Sequence, residues 1–279
     1  MELPKNVYTD LVRQALAEDL GPGDITSALT IAPTATASGR FIAKEAGVIC
    51  GWAVVQEVFH QLNPAIDLKI EQGDGARVNA GTELAIVSGP TRDLLSGERV
   101  ALNFLQHLSG IATATRKLVD LLADYPQVRL VDTRKTLPGL RALQKYAVRV
   151  GGGYNHRFNL ADAVLIKDNH LAACGGIKAA VAKVRATAPH TMRIEVEVET
   201  EEQVREALAA GADIIMLDNM SPSLMAEMVR LINGRSLVEA SGNVSAETIQ
   251  AIAATGVDLI SVGRITHSVQ ALDISLLLQ

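Results

Sequence analysis

The chain has 279 residues, 48% of them hydrophobic and 20% charged, and a formal net charge of −5. That length holds one large domain or two smaller ones, and the acidic balance excludes a general nucleic-acid binder or a basic membrane-surface protein. Aromatics are only 3% of the residues, so the core is aliphatic, which suits helices packed on a parallel sheet.

In chain order, residues 8–20 follow a helical pattern that stops at Gly21-Pro22-Gly23. Short strand-like pieces follow at residues 37–43, 47–49, 65–70 and 83–88, with a helical stretch at 53–61 and a turn at Gln72-Gly73-Asp74-Gly75. This half reads as an antiparallel sheet covered by helices, and residues 98–122 form a mostly helical bridge to the second half. From residue 128 onward, apolar runs alternate with amphipathic ones. Strands are predicted at 128–131, 164–166, 194–198, 214–217, 237–238 and 259–262, and helices at 202–210, 223–232 and 246–254. Gly211 and Gly256 fall where C-terminal caps belong, while Pro222 and Ser245 mark helix starts.

Strands that alternate with helices imply right-handed crossovers and a parallel sheet. Six such strands favour a barrel, irregular and with fewer than eight strands, over an open sheet. Neither a dinucleotide glycine fingerprint nor a P-loop is present. Cys50 and Cys174 are far apart and read as free thiols. No secretory pattern opens the sequence, and no apolar run approaches the roughly 18 residues of a membrane span. The expectation is a cytoplasmic protein with no nucleic-acid or membrane partner.

Barrel enzymes place their chemistry at the C-terminal ends of strands. All six predicted ends are polar or charged here. Arg134, Lys135, His156, Arg157 and Lys167 come from the first two ends and the loop feeding the second. Convergent cations repel and lose solvation, so as a set they point to an anion site, with solvent-facing or carboxylate-paired side chains as the alternative. Arg134 and Arg157 bring bidentate forks suited to carboxylate or phosphate.

The run Glu195-Val196-Glu197-Val198-Glu199 has the strand period of two, which puts all three glutamates on one face. That face is the barrel interior, because the valines need the helix layer. Interior glutamates require cations, a metal or water. With Asp218 they form an acidic side suited to Mg²⁺ shared with a substrate phosphate; ion pairs to Lys167 or Arg134 are the alternative. Ser241-Gly242-Asn243 and Gly263-Arg264 are glycine-containing turns at the last two strand ends, where barrels often bind phosphate and where simple turn chemistry would also serve. Gly151-Gly152-Gly153 reads as a turn presenting His156 and Arg157.

These residues lie in motifs that resemble quinolinate phosphoribosyltransferase, the carboxylating nicotinate-nucleotide pyrophosphorylase. The longest is DTRKTLPGLRALQKYAVRVGGGYNHRFNLADAVLIKDNH, from Asp132 to His170. Others are EDLGPGDITS near Glu18, LNFLQHLSGIAT at Leu102, EVEVET at Glu195, MLDNM at Met216, EASGN at Glu239 and SVGRITHS at Ser261. The resemblance implies an N-terminal α/β sandwich-like domain, residues 1–110, and an incomplete α/β barrel of six to seven strands, residues 111–268, with residues 269–279 packing back on the first domain. It implies transfer of phosphoribosyl from phosphoribosyl pyrophosphate to quinolinate with decarboxylation, in de novo NAD biosynthesis.

By the same resemblance, Arg134, His156, Arg157 and Lys167 hold quinolinate, and Lys135 sits near the junction of the two substrates. Arg99 comes from the neighbouring subunit of a homodimer with shared active sites. Glu197 and Asp218 are the carboxylates on the metal and ribose side, for Mg²⁺. Ser241, Gly242, Gly263 and His267 lie near the phosphoribosyl phosphate, and Lys135, Lys167, Glu197 and Asp218 take part in catalysis. Arg264 stands where smaller residues are common in the family. Nicotinate phosphoribosyltransferase is the nearest alternative, but its one carboxylate needs fewer cations. The alternative outside enzymes is an anion-binding regulatory protein on a barrel scaffold.

Overall fold

The structure is a computed structural model that describes residues 3–279; Met1 and Glu2, which open the expected first domain, lie outside the described residues. In chain order the elements are α1 (Thr9–Leu20), α2 (Ile25–Thr30), β1 (Thr36–Ala43), β2 (Gly47–Val48), α3 (Trp52–Leu62), β3 (Asp67–Ile70), β4 (Arg77–Val78), β5 (Glu83–Pro90) and the long α4 (Thr91–Leu121). Then come β6 (Arg129–Val131), α5 (Arg141–Val150), β7 (Val164–Ile166), α6 (Asp168–Cys174), α7 (Ile177–Thr187), β8 (Ile194–Val198), α8 (Glu201–Ala210), β9 (Ile214–Asp218) and α9 (Pro222–Ile232). The chain ends with β10 (Leu237–Ser241), α10 (Ile249–Ala253), β11 (Leu259–Ser261), α11 (Arg264–His267) and β12 (Ile274–Leu278).

The chain divides into two compact units. Unit 1 comprises Met1–Arg116, Thr136–Gly152 and Ile265–Gln279; unit 2 comprises Lys117–Lys135 and Gly153–Arg264. Residues 136–152 and 265–279 therefore group with the N-terminal unit, where the sequence reading divided the chain at residue 110.

Unit 1 carries a four-stranded antiparallel sheet in the order β12-β1-β5-β3 and a small β2-β4 ladder. Its core gathers scarce aromatics. Phe41 on β1 meets Trp52 edge-on at 5.5 Å between ring centroids, and Phe59 packs against the Phe41 ring. The start of α3 is tied by Asp74, whose Oδ1 accepts from the backbone N–H groups of Gly51 and Trp52.

Unit 2 is a six-stranded parallel sheet in the order β6-β11-β10-β9-β8-β7. Apart from β6, the strands sit beside their sequence neighbours, as right-handed crossovers produce. This is the incomplete barrel, open between β6 and β7. Part of that opening is taken by Tyr154, which bridges to Val131 with its N–H on the Leu130 carbonyl at 2.8 Å.

The helices of unit 2 start and stop for local reasons. Thr200 and Gln203 form a capping box on α8, which ends at Gly211 in the left-handed region. Ser221 caps α9, with Pro222 in its first turn. Two boundaries depart from the sequence reading. The α10 helix begins at Ile249, four residues after Ser245, and a turn over residues 246–248 leads into it, with the Ser245 N–H on the Thr248 hydroxyl and the Ile249 N–H on the Ser245 carbonyl. The long helix begins at Thr91 rather than near residue 98, since nothing after Pro90 interrupts it. Among the described residues, no helix is long and apolar enough to cross a membrane.

Candidate active site

β8 shows how the sequence builds the interior. Ile194, Val196 and Val198 are buried, and the alternate positions carry the three glutamates on the opposite face. Burial falls along the strand towards its C-terminal end: Glu195 is 4% exposed, Glu197 is half-buried and Glu199 is exposed. Parallel register sets Glu195 beside Leu165 and Ile214, and Glu197 beside Met216. Glu239 lies beside Met216 from the other side, and Ser241 beside Asp218. In register, then, Glu197 and Glu239 flank Met216, while Asp218 and Ser241 stand two residues nearer the C-terminal ends of their strands.

At this end unit 2 has a cavity of about 270 Å³ lined by Thr133, Arg134, Lys135, His156, Arg157, Leu165, Lys167, Met216, Glu239, Ser241 and Ser261. Five of the predicted cationic residues therefore come together, with Ser241. Lys167 Nζ donates to Glu197 Oε2 at 2.6 Å, an ion pair that joins the cationic wall to the acidic side. Arg157 donates from Nη1 to the Ala163 carbonyl at 2.9 Å. Burial, and then the nearby Arg134 charge, lower its guanidinium pKa, while the charges of Glu195 and Asp162 oppose that shift.

The loop carrying His156 is anchored from below. Asp132, fully buried at the end of β6, accepts from Asn155 Nδ2 at 2.6 Å and from the His156 N–H at 2.9 Å. The imidazole is engaged at both nitrogens. Nδ1 accepts from the Arg157 N–H at 2.8 Å, and Nε2 lies 3.1 Å from Glu195 Oε2 and 3.6 Å from Glu239 Oε2.

Glu239, 1% exposed, was not singled out as a site residue from the sequence. The signal was present, because Leu237-Val238-Glu239-Ala240-Ser241 has the same period-two pattern as β8. Burial, and then the neighbouring Glu195 charge, push its carboxyl pKa up to about 7.

The remaining predicted residues lie outside that lining. Asp218 is half-buried at the rim, and its Oδ2 accepts from Asn219 Nδ2 at 2.7 Å. Asn219, another residue not selected from the sequence, donates its N–H to the Ser241 carbonyl at 3.0 Å and accepts from Asn243 Nδ2 at 3.2 Å. Gly242 lies against it with φ +90°, where a Cβ would overlap the Asn219 amide. Gly263 follows β11, and Arg264 beyond it is exposed. His267 and Arg99 belong to unit 1. His267 is exposed, with Nδ1 2.6 Å from the Ser268 hydroxyl, and Arg99 is exposed on α4.

A site rich in cations, floored by buried carboxylates and rimmed by a glycine turn, matches the motifs that carried the sequence resemblance. The family model for the quinolinate phosphoribosyl transferase C-terminal domain matches residues 111–277, and that for the N-terminal domain matches residues 24–109. The chain belongs to the quinolinate phosphoribosyl transferase family. A relative in Bacillus subtilis named probable nicotinate-nucleotide pyrophosphorylase [carboxylating] is 48% identical over 266 residues, covering 95% of this chain and 91% of the relative. A mitochondrial quinolinate phosphoribosyltransferase [decarboxylating] of Nicotiana tabacum is 43% identical, covering 96% of this chain and 81% of that protein. Among solved structures, NadC from Streptococcus pyogenes superposes with a TM-score of 0.96 at 44% identity, covering 100% of this chain and 99% of that one.

Proposed function

We propose that this chain transfers the phosphoribosyl group of phosphoribosyl pyrophosphate to the ring nitrogen of quinolinate. The products are nicotinate mononucleotide, pyrophosphate and CO₂, and the step belongs to de novo NAD biosynthesis. The observation that carries this reading is the convergence of Arg134, Lys135, Arg157 and Lys167 on one small cavity, in a chain of this family. Quinolinate brings two adjacent carboxylates and the second substrate a polyphosphate, so both call for cations. A nicotinate-specific site has one carboxylate to satisfy.

In this reading Arg134 and Arg157 grip the carboxylates and orient the pyridine nitrogen towards ribose C1. Lys135, exposed at the cavity edge, faces the leaving pyrophosphate, and Ser241, with the Gly242 turn, receives the 5′-phosphate through hydroxyl and backbone N–H groups. Lys167 exchanges its hold on Glu197 for a substrate carboxylate. The glutamate is then released towards the positive charge that develops on the ribose. Once the nitrogen is ribosylated, its positive charge stabilises the in-plane C2 carbanion left as the 2-carboxylate departs as CO₂; a proton from water then forms the C2–H bond, so no protein cofactor is required for decarboxylation.

Glu197 and Asp218 fit Mg²⁺ as hard oxygen donors on adjacent strands. Glu197 commits Oε2 to Lys167, and Asp218 stands half-exposed at the rim. Bound there, Mg²⁺ would neutralise pyrophosphate charge. The reading includes a cytoplasmic homodimer in which Arg99 is supplied across subunits. Its exposure on α4 supports this.

The test is an assay with quinolinate, phosphoribosyl pyrophosphate and Mg²⁺ that follows nicotinate mononucleotide and CO₂, with nicotinate as the competing acid. Quinolinate turnover with one CO₂ per nucleotide is expected, lost with chelator and regained with Mg²⁺. Turnover of nicotinate alone, or binding without pyrophosphate release, would overturn the proposal.

A further inference from the structure

Beneath the cationic wall, His156, Glu195 and Glu239 bring ligand-type atoms within 4.8 Å of one another. The two glutamates are 4% and 1% exposed, and Glu195 Oε1 and both Glu239 oxygens have no hydrogen-bond partner among the described residues. Carboxylates left this dry are costly, so their placement needs a reason.

Metal ligation is the first candidate, and the histidine argues against it. A backbone N–H can only donate, so the Arg157 N–H fixes Nδ1 as an acceptor and leaves the ring proton on Nε2. An Nε2 that carries a proton does not ligate a metal, and metal-bound histidines donate from the other nitrogen, the reverse of what is seen here. The same proton makes Nε2 a donor aimed at Glu195, with Glu239 behind it.

We infer that Glu195 and Glu239 are positioning residues of this active site, acting through His156 on Arg157. The floor carboxylates hold the imidazole in its Nε2–H tautomer. The ring's Nδ1 then fixes the Arg157 backbone, and the Ala163 carbonyl steers the guanidinium. Asp132 anchors the same loop through the His156 N–H and Asn155, so the loop is gripped at successive residues. Glu195 also serves as a fixed countercharge to the Arg157 guanidinium, which lies in the field of Arg134. In this arrangement His156 spends both nitrogens on the protein, and its contribution to acid recognition passes through Arg157. The inference rests on the quinolinate reading for the identity of the acid, and on geometry alone for the tautomer.

Two measurements test it. In ¹⁵N-histidine-labelled protein without substrate, His156 is expected to show a protonated Nε2 and an unprotonated Nδ1; the opposite tautomer overturns the inference whatever the substrate is. In the Glu195→Gln/Glu239→Gln double variant, KM for quinolinate should rise about tenfold, while KM for phosphoribosyl pyrophosphate and kcat stay within about threefold. An unchanged quinolinate KM, or a parallel rise in both KM values with a lowered Tm, would show a merely structural role. Failure of the wild-type protein to consume quinolinate would instead strike at the proposed function and leave the tautomer result standing.

Discussion

Substituting Glu239 by Gln isolates a single buried proton-binding group. In the folded protein this carboxyl is pushed up to about 7, by burial first and by the charge of Glu195 second, from an ordinary 4.5. The folded state therefore holds the proton more tightly than the unfolded chain does. The resulting stabilisation is fully present below about pH 4.5 and is lost as pH rises through about 7. At roughly 1.4 kcal/mol for each tenfold difference in proton affinity, the loss is about 3 kcal/mol. The side chain is almost fully buried, so solvent screening does not reduce that figure.

Gln keeps the shape and cannot titrate. Urea unfolding of wild type and Glu239→Gln at pH 5 and pH 8 gives the difference, because groups that do not sense Glu239 cancel. Relative to wild type, the variant should gain about 2 to 3 kcal/mol between the two pH values. Parallel profiles would mean that Glu239 is ionised throughout, and would refute the account of a desolvated, neighbour-repelled carboxyl.

Arg134→Ala should lower kcat/KM for quinolinate at least about tenfold, as loss of a charge-assisted contact does, in steady-state assays with saturating phosphoribosyl pyrophosphate. Arg99→Ala and Lys167→Ala should each be inactive alone, yet partly recover when mixed under subunit exchange; no recovery despite demonstrated exchange would exclude a shared site. Gly242→Ala forces a Cβ into the Asn219 amide at positive φ. It should raise KM for phosphoribosyl pyrophosphate more than KM for quinolinate, and thermal melting should register a cost of about 1 kcal/mol or more.

The strands of the barrel were legible because their apolar runs are bounded by glycine, proline and polar ends, and β7 and β8 fall on the predicted residues. The inward glutamates of β8 were legible from alternation alone. The same rule applied to β10 would have found Glu239, but a single glutamate in a five-residue strand is a fainter signal than three in a row. The direction of the His156 ring was not legible. It depends on a backbone N–H one residue later and on two strands distant in sequence, which local pattern does not encode. The Asn219 side-chain contacts are likewise tertiary, arising where β9 and β10 end side by side.

The pairing of β12 with β1 sets an order in time. It joins Gly39 to Leu278, so every strand of unit 2 leaves the ribosome before β1 can acquire that neighbour. Strands β7 to β11 pair in chain order and can assemble as they emerge. The antiparallel sheet of unit 1 must hold an open edge on β1 until β12 has been made, and long-range pairing of this kind closes slowly.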